Sequence, residues 1–137
     1  MERLIVVSAV VVRDAAGRIL TVRKRGTSRF MLPGGKPEAG ETAAQTAARE
    51  LMEETGIAVA ASDLDALGEF ESAAANEPDH LLRSTVFTMR DAVADADSIR
   101  PVAEIEEVRW LDLGEPLPTD LAPMLEGNVI PKLRARH

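Results

Sequence analysis

From Leu4 to Val12 the chain is apolar at every position except Ser8, and most of these residues are β-branched. Such an unbroken run reads as a strand buried on both faces, extending to Arg13. Asp14-Ala15-Ala16-Gly17 forms a turn, and Arg18 to Arg25 a second strand, which together predict a hairpin. Phe30-Met31-Leu32 is a short strand ended by Pro33. The periodicity then changes from two to about 3.6. Ala44, Ala47, Ala48, Leu51 and Thr55 recur at helical spacing, behind a capping box of Thr42 and Gln45 and ahead of a terminating Gly56. Beyond the helix, Ile57 to Val59 reads as a small strand and Ser62-Asp63-Leu64 as a turn. Leu67 to Ala75 and Leu81 to Met89 are strands joined across Asn76-Glu77-Pro78-Asp79. Arg90 to Ser98 lacks periodicity and reads as a loop. Val108-Arg109-Trp110-Leu111 is the last strand, and a C-terminal helix falls within Asp120 to Leu133, its limits blurred by Pro123 and Pro131. Strands, a helix, more strands and a helix predict a mixed-sheet α+β or α/β sandwich.

Composition narrows the class. The chain has 137 residues, 45% hydrophobic and 28% charged, which suits one globular domain over residues 1–137. Its net charge of −7 argues against a nucleic acid polymer or a membrane surface as partner. With no cysteine, thiolate catalysis and cysteine-ligated zinc are excluded. The apolar N-terminal run is too short to span a bilayer and leads straight into the hairpin, so a cytoplasmic location is expected.

Charge placement on the helix is the anomaly. Glu50, Glu53 and Glu54 share an arc of about 100° beside the apolar stripe. Glu50 and Glu54 form a like-charge i,i+4 pair, which Arg49 relieves in part through its own i,i+4 relation to Glu53. Carboxylates clustered without His or Cys select hard, oxygen-seeking cations, Mg²⁺ or Mn²⁺. Just upstream stand Arg23, Lys24, Arg25 and Arg29. Alternation puts Arg23 and Arg25 on one strand face. All four cations are well placed for a phosphate chain, with Arg23, Arg25, Arg29 and Lys36 the candidates to bind it. Pro33-Gly34-Gly35 brings backbone close to whatever the helix binds.

The spacing carries a resemblance. Gly35, five residues, Glu41, seven residues, Arg49-Glu50, aliphatic Leu51, one residue, Glu53-Glu54, one residue, Gly56 and aliphatic Ile57 resembles the complete Nudix box. A chance match is on the order of one in a hundred thousand. The resemblance implies a Nudix α/β/α sandwich with a mixed β-sheet and a loop-helix-loop catalytic motif. It further implies that Glu53 and Glu54 are metal ligands, with Glu50 a ligand or the base that orients water. The Gly34 carbonyl would be another ligand, Arg49 would fix the carboxylates, and Gly35 and Gly56 would shape the motif. Glu41 could serve as a helix-dipole partner or a more distant ligand. MutT-like members of the family place an acid before the Trp of the last strand. Here that is Glu104, with Glu106 and Glu107 as competitors.

The implied activity is Mg²⁺-dependent hydrolysis of a phosphoanhydride in a small phosphorylated molecule, with Mn²⁺ able to substitute. The family's ADP-ribose proline is missing past the box, and the chain has no tyrosine, the marker of dinucleoside polyphosphate hydrolases. By elimination a (d)NTP or modified nucleotide, giving monophosphate and pyrophosphate, is expected. ADP-ribose or a nucleotide sugar is the alternative substrate, and a non-catalytic nucleotide sensor the alternative class. A homodimer is possible, as is frequent in the family.

Overall fold

The N-terminal strand β1 (Arg3–Val11) is the centre of the molecule. The structure, a computed structural model, describes residues 3–74 and 78–135. β1 lies between β3 (Gly34–Gly35) and β5 (His80–Met89), and β4 (Leu64–Ala73) closes the far edge of this four-stranded sheet. It runs parallel to β5 and antiparallel to β3, so the sheet is mixed, as expected. β2 (Ile19–Lys24) pairs antiparallel with β6 (Ile105–Leu111) in a second sheet of two strands.

The expected hairpin exists only at its base. Arg13 bridges Ile19, and Leu20 N–H donates to Val12 O at 2.9 Å, but beyond this the two strands part into different sheets. The turn itself is built as the sequence suggests. The Asp14 carboxylate accepts from Ala16 and Arg18 backbone N–H groups and pairs with the Arg18 guanidinium at 2.6 Å, and Gly17 takes φ 83°. Divergence lets one strand pair supply both layers of the core. Along β1 and the residue after it, Ala9 and Val11 face one cluster while Val10 and Val12 face the other.

The second of these clusters packs under α1 (Ala43–Thr55), whose Ala47 and Leu51 are fully buried. Burying a leucine of this kind stabilises by about 2 kcal/mol. Thr42 and Gln45 make both halves of the capping box, and Gly56 closes the helix at φ 79°. The other cluster packs under the C-terminal helix, which begins near Pro123, widens into a π-helical turn over Leu125–Val129 and continues as α2 (Ile130–Ala135). Pro131 explains the widening. It has no N–H to donate and its ring crowds the carbonyl four residues back, and a wider turn ahead of it relieves both.

Some expectations need correction. The first half of β1 is not buried on both faces: Leu4 and Val6 are 46% and 47% exposed, because α1 covers only the second half. Ile57 to Val59 is not a strand. Phe30 and Met31 make isolated bridges, to Leu121 and Val22, in place of a continuous strand. The Arg90 to Ser98 loop carries a 3-10 turn at Ala96–Ser98. The connection expected across Asn76 to Asp79, and Ala75 before it, lie partly outside the described residues.

Candidate active site

A cleft of about 520 Å³ opens between the β1–β5 surface and the start of the C-terminal helix. Its floor is apolar, made by Ile5 and Val7 of β1 and Leu82 and Val86 of β5. One end is charged, where Lys24, Lys36, Arg49, Glu50 and Glu104 meet the Gly34-Gly35 backbone.

Arg49 is the hub of the charged end. Its Nε donates to Glu41 Oε2 at 2.7 Å and its Nη2 to Glu41 Oε1 at 3.0 Å. Nη1 donates to Glu50 Oε1 at 3.3 Å and to Glu53 Oε2 at 3.2 Å, and Nη2 also reaches the Lys36 carbonyl at 2.9 Å. One planar fork thereby ties the helix to the loop that precedes it. Glu41 is fully engaged. It also accepts from Thr46 Oγ1 at 2.9 Å and from Glu38 N–H at 2.8 Å, and Arg49 holds its carboxyl down to about 2. These contacts tie Glu41 to Arg49 and to the loop before the helix.

The three helix acids have separate environments. Glu54 is not beside the apolar stripe but within it, 2% exposed. Its Oε1 accepts from Gly34 N–H at 3.0 Å, while Oε2 has no hydrogen-bond partner among the described residues. Burial pushes its carboxyl up to about 8. Glu50 is pushed up to about 7, first by burial and then by sharing a hydrogen bond with Glu53. That same bond, with help from Arg49, lowers Glu53, whose side chain is half exposed.

The adjacent glycines are required by two different contacts. A Cβ on Gly34 would collide with the Ser8 carbonyl and lie 2.8 Å from Ala9 Cα, so this position lets β3 approach β1. A Cβ on Gly35 would fall inside the Glu50 carboxylate.

The donor set suits a hard cation: every candidate ligand is oxygen, and one buried carboxylate oxygen is unpartnered. Among the described residues, no three His, Asp or Glu side chains converge on one point. Arg49 and the hydrogen bond with Glu50 hold the half-exposed Glu53 beside its neighbours.

The cationic candidates divide. Arg23 pairs with Glu107 at 3.0 Å and donates to Thr27 O, Arg25 pairs with Glu106 at 3.3 Å, and Arg29 donates to the Thr119 and Leu121 carbonyls. None of the three lines the cleft. Lys36 does, and so does Lys24, the one of the four upstream cations that faces the cleft. The strand alternation that put Arg23 and Arg25 together also puts Lys24 on the opposite face, and that was the available signal. Among the later acids, Glu104 lies at the cleft, with Oε1 3.5 Å from Lys24 Nζ. Glu106 and Glu107 are taken up by Arg25 and Arg23.

A family model described as the NUDIX domain matches residues 2–133. The chain is 30% identical over 114 residues to the putative 8-oxo-dGTP diphosphatase of Bacillus subtilis (strain 168), a match that covers 83% of this chain and 70% of that one. It is 36% identical over 113 residues to the octanoyltransferase of Myxococcus xanthus, covering 81% of this chain but only 31% of that longer protein. In fold it is similar to the MutT protein from Methanosarcina mazei Go1, with a TM-score of 0.78 at 23% identity over 98% of this chain and 96% of that one. With the family pattern running almost end to end and the box residues gathered around Arg49 and the glycine pair, the chain belongs to the Nudix hydrolase family.

Proposed function

We propose that the protein is a Mg²⁺-dependent pyrophosphohydrolase that cleaves a nucleoside triphosphate, normal or oxidised, to the monophosphate and pyrophosphate. The observation that carries this reading is the polarity of the cleft: acids and lysines at one end, an apolar floor at the other. A nucleotide has the same polarity. The name of the Bacillus relative supports the same substrate class.

Glu50, Glu53 and Glu54, with the Gly34 carbonyl, are the groups proposed to hold the cation. When bound, it would neutralise charge on the acids and on the phosphates and lower the pKa of the attacking water. The chain's own residues do the remainder. Arg49 fixes Glu50 and Glu53 relative to the loop. Lys24 and Lys36 draw the phosphate chain to that end, and Glu104 keeps Lys24 in place. Glu50, against the Gly35 backbone, is in position to orient or deprotonate water. Water attacks phosphorus, one P–O bond of the anhydride breaks, and pyrophosphate leaves with no covalent enzyme intermediate.

The test is incubation with Mg²⁺ and a panel of nucleoside triphosphates, oxidised dGTP, ADP-ribose and nucleotide sugars, with the products separated. Release of pyrophosphate and monophosphate from a triphosphate is the expected result. Tight binding without turnover of any compound would reject the reading.

A further inference from the structure

On the apolar floor of the cleft stands one buried hydroxyl that is unpaired among the described residues. Ser84 of β5 is 1% exposed, lines the cleft, and its Oγ has no hydrogen-bond partner among the described residues. Its neighbours are apolar. Val7 lies opposite it on β1, and Leu82 and Val86 flank it on the same face of β5. Leaving a hydroxyl buried and unpaired is unfavourable, and a valine or alanine would fill the position without that cost. Its presence in this setting points to a partner that arrives with the ligand.

Sheet geometry fixes how far this hydroxyl is from the reacting end. Gly35, which cradles Glu50, pairs with Ser8, and the neighbouring residue Val7 pairs with Ser84. Two strand spacings therefore separate the Glu50 cradle from Ser84, about 10 Å. A ribose between a phosphate and a base covers that interval. A second sugar is a poor fit to the floor, because it needs several hydrogen bonds and the floor supplies one side-chain partner. A flat ring with a polar edge fits.

We infer that Ser84 is a specificity-determining residue: its hydroxyl hydrogen-bonds the polar edge of a nucleobase lying on the Val7–Leu82–Val86 floor. The inference rests on the nucleotide reading above and adds to it the residue that reads the base. Ser84 takes no part in the bond cleavage, so its removal weakens binding of the base without altering the phosphate end.

Steady-state hydrolysis by the wild type and Ser84→Ala is compared on the common deoxynucleoside triphosphates, oxidised dGTP and a base-less deoxyribose 5-triphosphate, with melting temperatures measured alongside. For the best wild-type substrate, kcat/KM is expected to fall about tenfold, mainly through KM, with the spread among bases narrowed. The base-less compound is expected to react alike with both proteins, and the variant to melt no lower than the wild type. Unchanged preferences in a variant that turns over normally would overturn the role of Ser84 alone. A lower melting temperature with unchanged base preferences would overturn it too, by showing that the hydroxyl has a structural partner. If the wild type hydrolyses no nucleotide, the nucleotide reading fails and this inference falls with it.

Discussion

The carboxylate of Glu50 fills the space that a side chain on Gly35 would need. A glycine conserves no chemistry of its own, yet here it decides where an acid sits. Gly34, one position earlier, is held by backbone contacts with Ser8 and Ala9. The two glycines should therefore fail in different ways. Gly35→Ala is expected to fold with a melting temperature near that of the wild type, because a flexible side chain can move away, but to lose turnover by about a hundredfold. Gly34→Ala should lower the melting temperature clearly, since β3 cannot keep its distance from β1. Thermal melts and kcat on both variants check this. Equal melting temperatures would reject it.

Glu53 should be indispensable to turnover and dispensable to folding. It is half exposed, and its side chain meets Arg49 and Glu50. Glu53→Gln is expected to reduce kcat by at least about a hundredfold, the scale of losing one electrostatic element at a reacting phosphate. The melting temperature of the metal-free protein should move little. Turnover within tenfold of the wild type would exclude Glu53 from the metal site.

Burial of Glu54 implies a pH dependence of stability with a definite sign. Its carboxyl rises from the usual 4.5 to about 8 in the folded protein. As pH rises between those values the unfolded chain releases this proton first, so the group's contribution to stability is full below about 4.5 and is lost as pH passes about 8. Glu54→Gln carries no such charge. The metal-free variant is expected to be more stable than the metal-free wild type at pH 9 and to gain little at pH 4, while losing activity. Denaturant melts in EDTA at the two pH values measure the difference. Glu41 works in the opposite direction: held near 2 by Arg49, it stabilises above about 4.5 and loses that effect as pH falls through about 2.

Lys24 and Arg23 are adjacent in sequence and face different surroundings. Lys24→Met should raise KM about tenfold for a triphosphate, as expected for losing a charged hydrogen-bond donor to phosphate. Arg23→Met should leave KM within about twofold, because Arg23 is bound to Glu107 and Thr27 away from the cleft. The reverse pattern would mean that phosphates approach from the other face of β2.

Local features were legible in the sequence because local forces make them. The capping box at Thr42 and Gln45, the Gly56 terminus and the Arg49–Glu53 pair all join residues less than a turn or two apart. What was missed depends on partners distant in the chain. Helix periodicity put Glu54 beside the apolar stripe, but the Gly34 N–H, brought close by β3, draws it inside. Turn chemistry identified the Asp14–Gly17 reversal, yet it could not reveal that β6 takes β2 away from β1. The basic strand was recognised as basic, and only its ion pairs with Glu106 and Glu107 show which cations are already occupied. Ser84 left no trace in the sequence, since an isolated serine in a strand gains meaning only from the apolar residues set around it.

The parallel pairing of β1 with β5 has a bearing on how the protein comes into being. Gly34, Gly35 and the box helix meet β1 through contacts made early in the chain. The ligand floor needs Ser84 opposite Val7, a pairing between distant segments. The floor can form only once the chain has been made as far as β5, and the long loop closure between Val7 and Ser84 makes it a late step. The helix that carries the acids waits on the same strand, because Phe87 of β5 lies in the core beneath it.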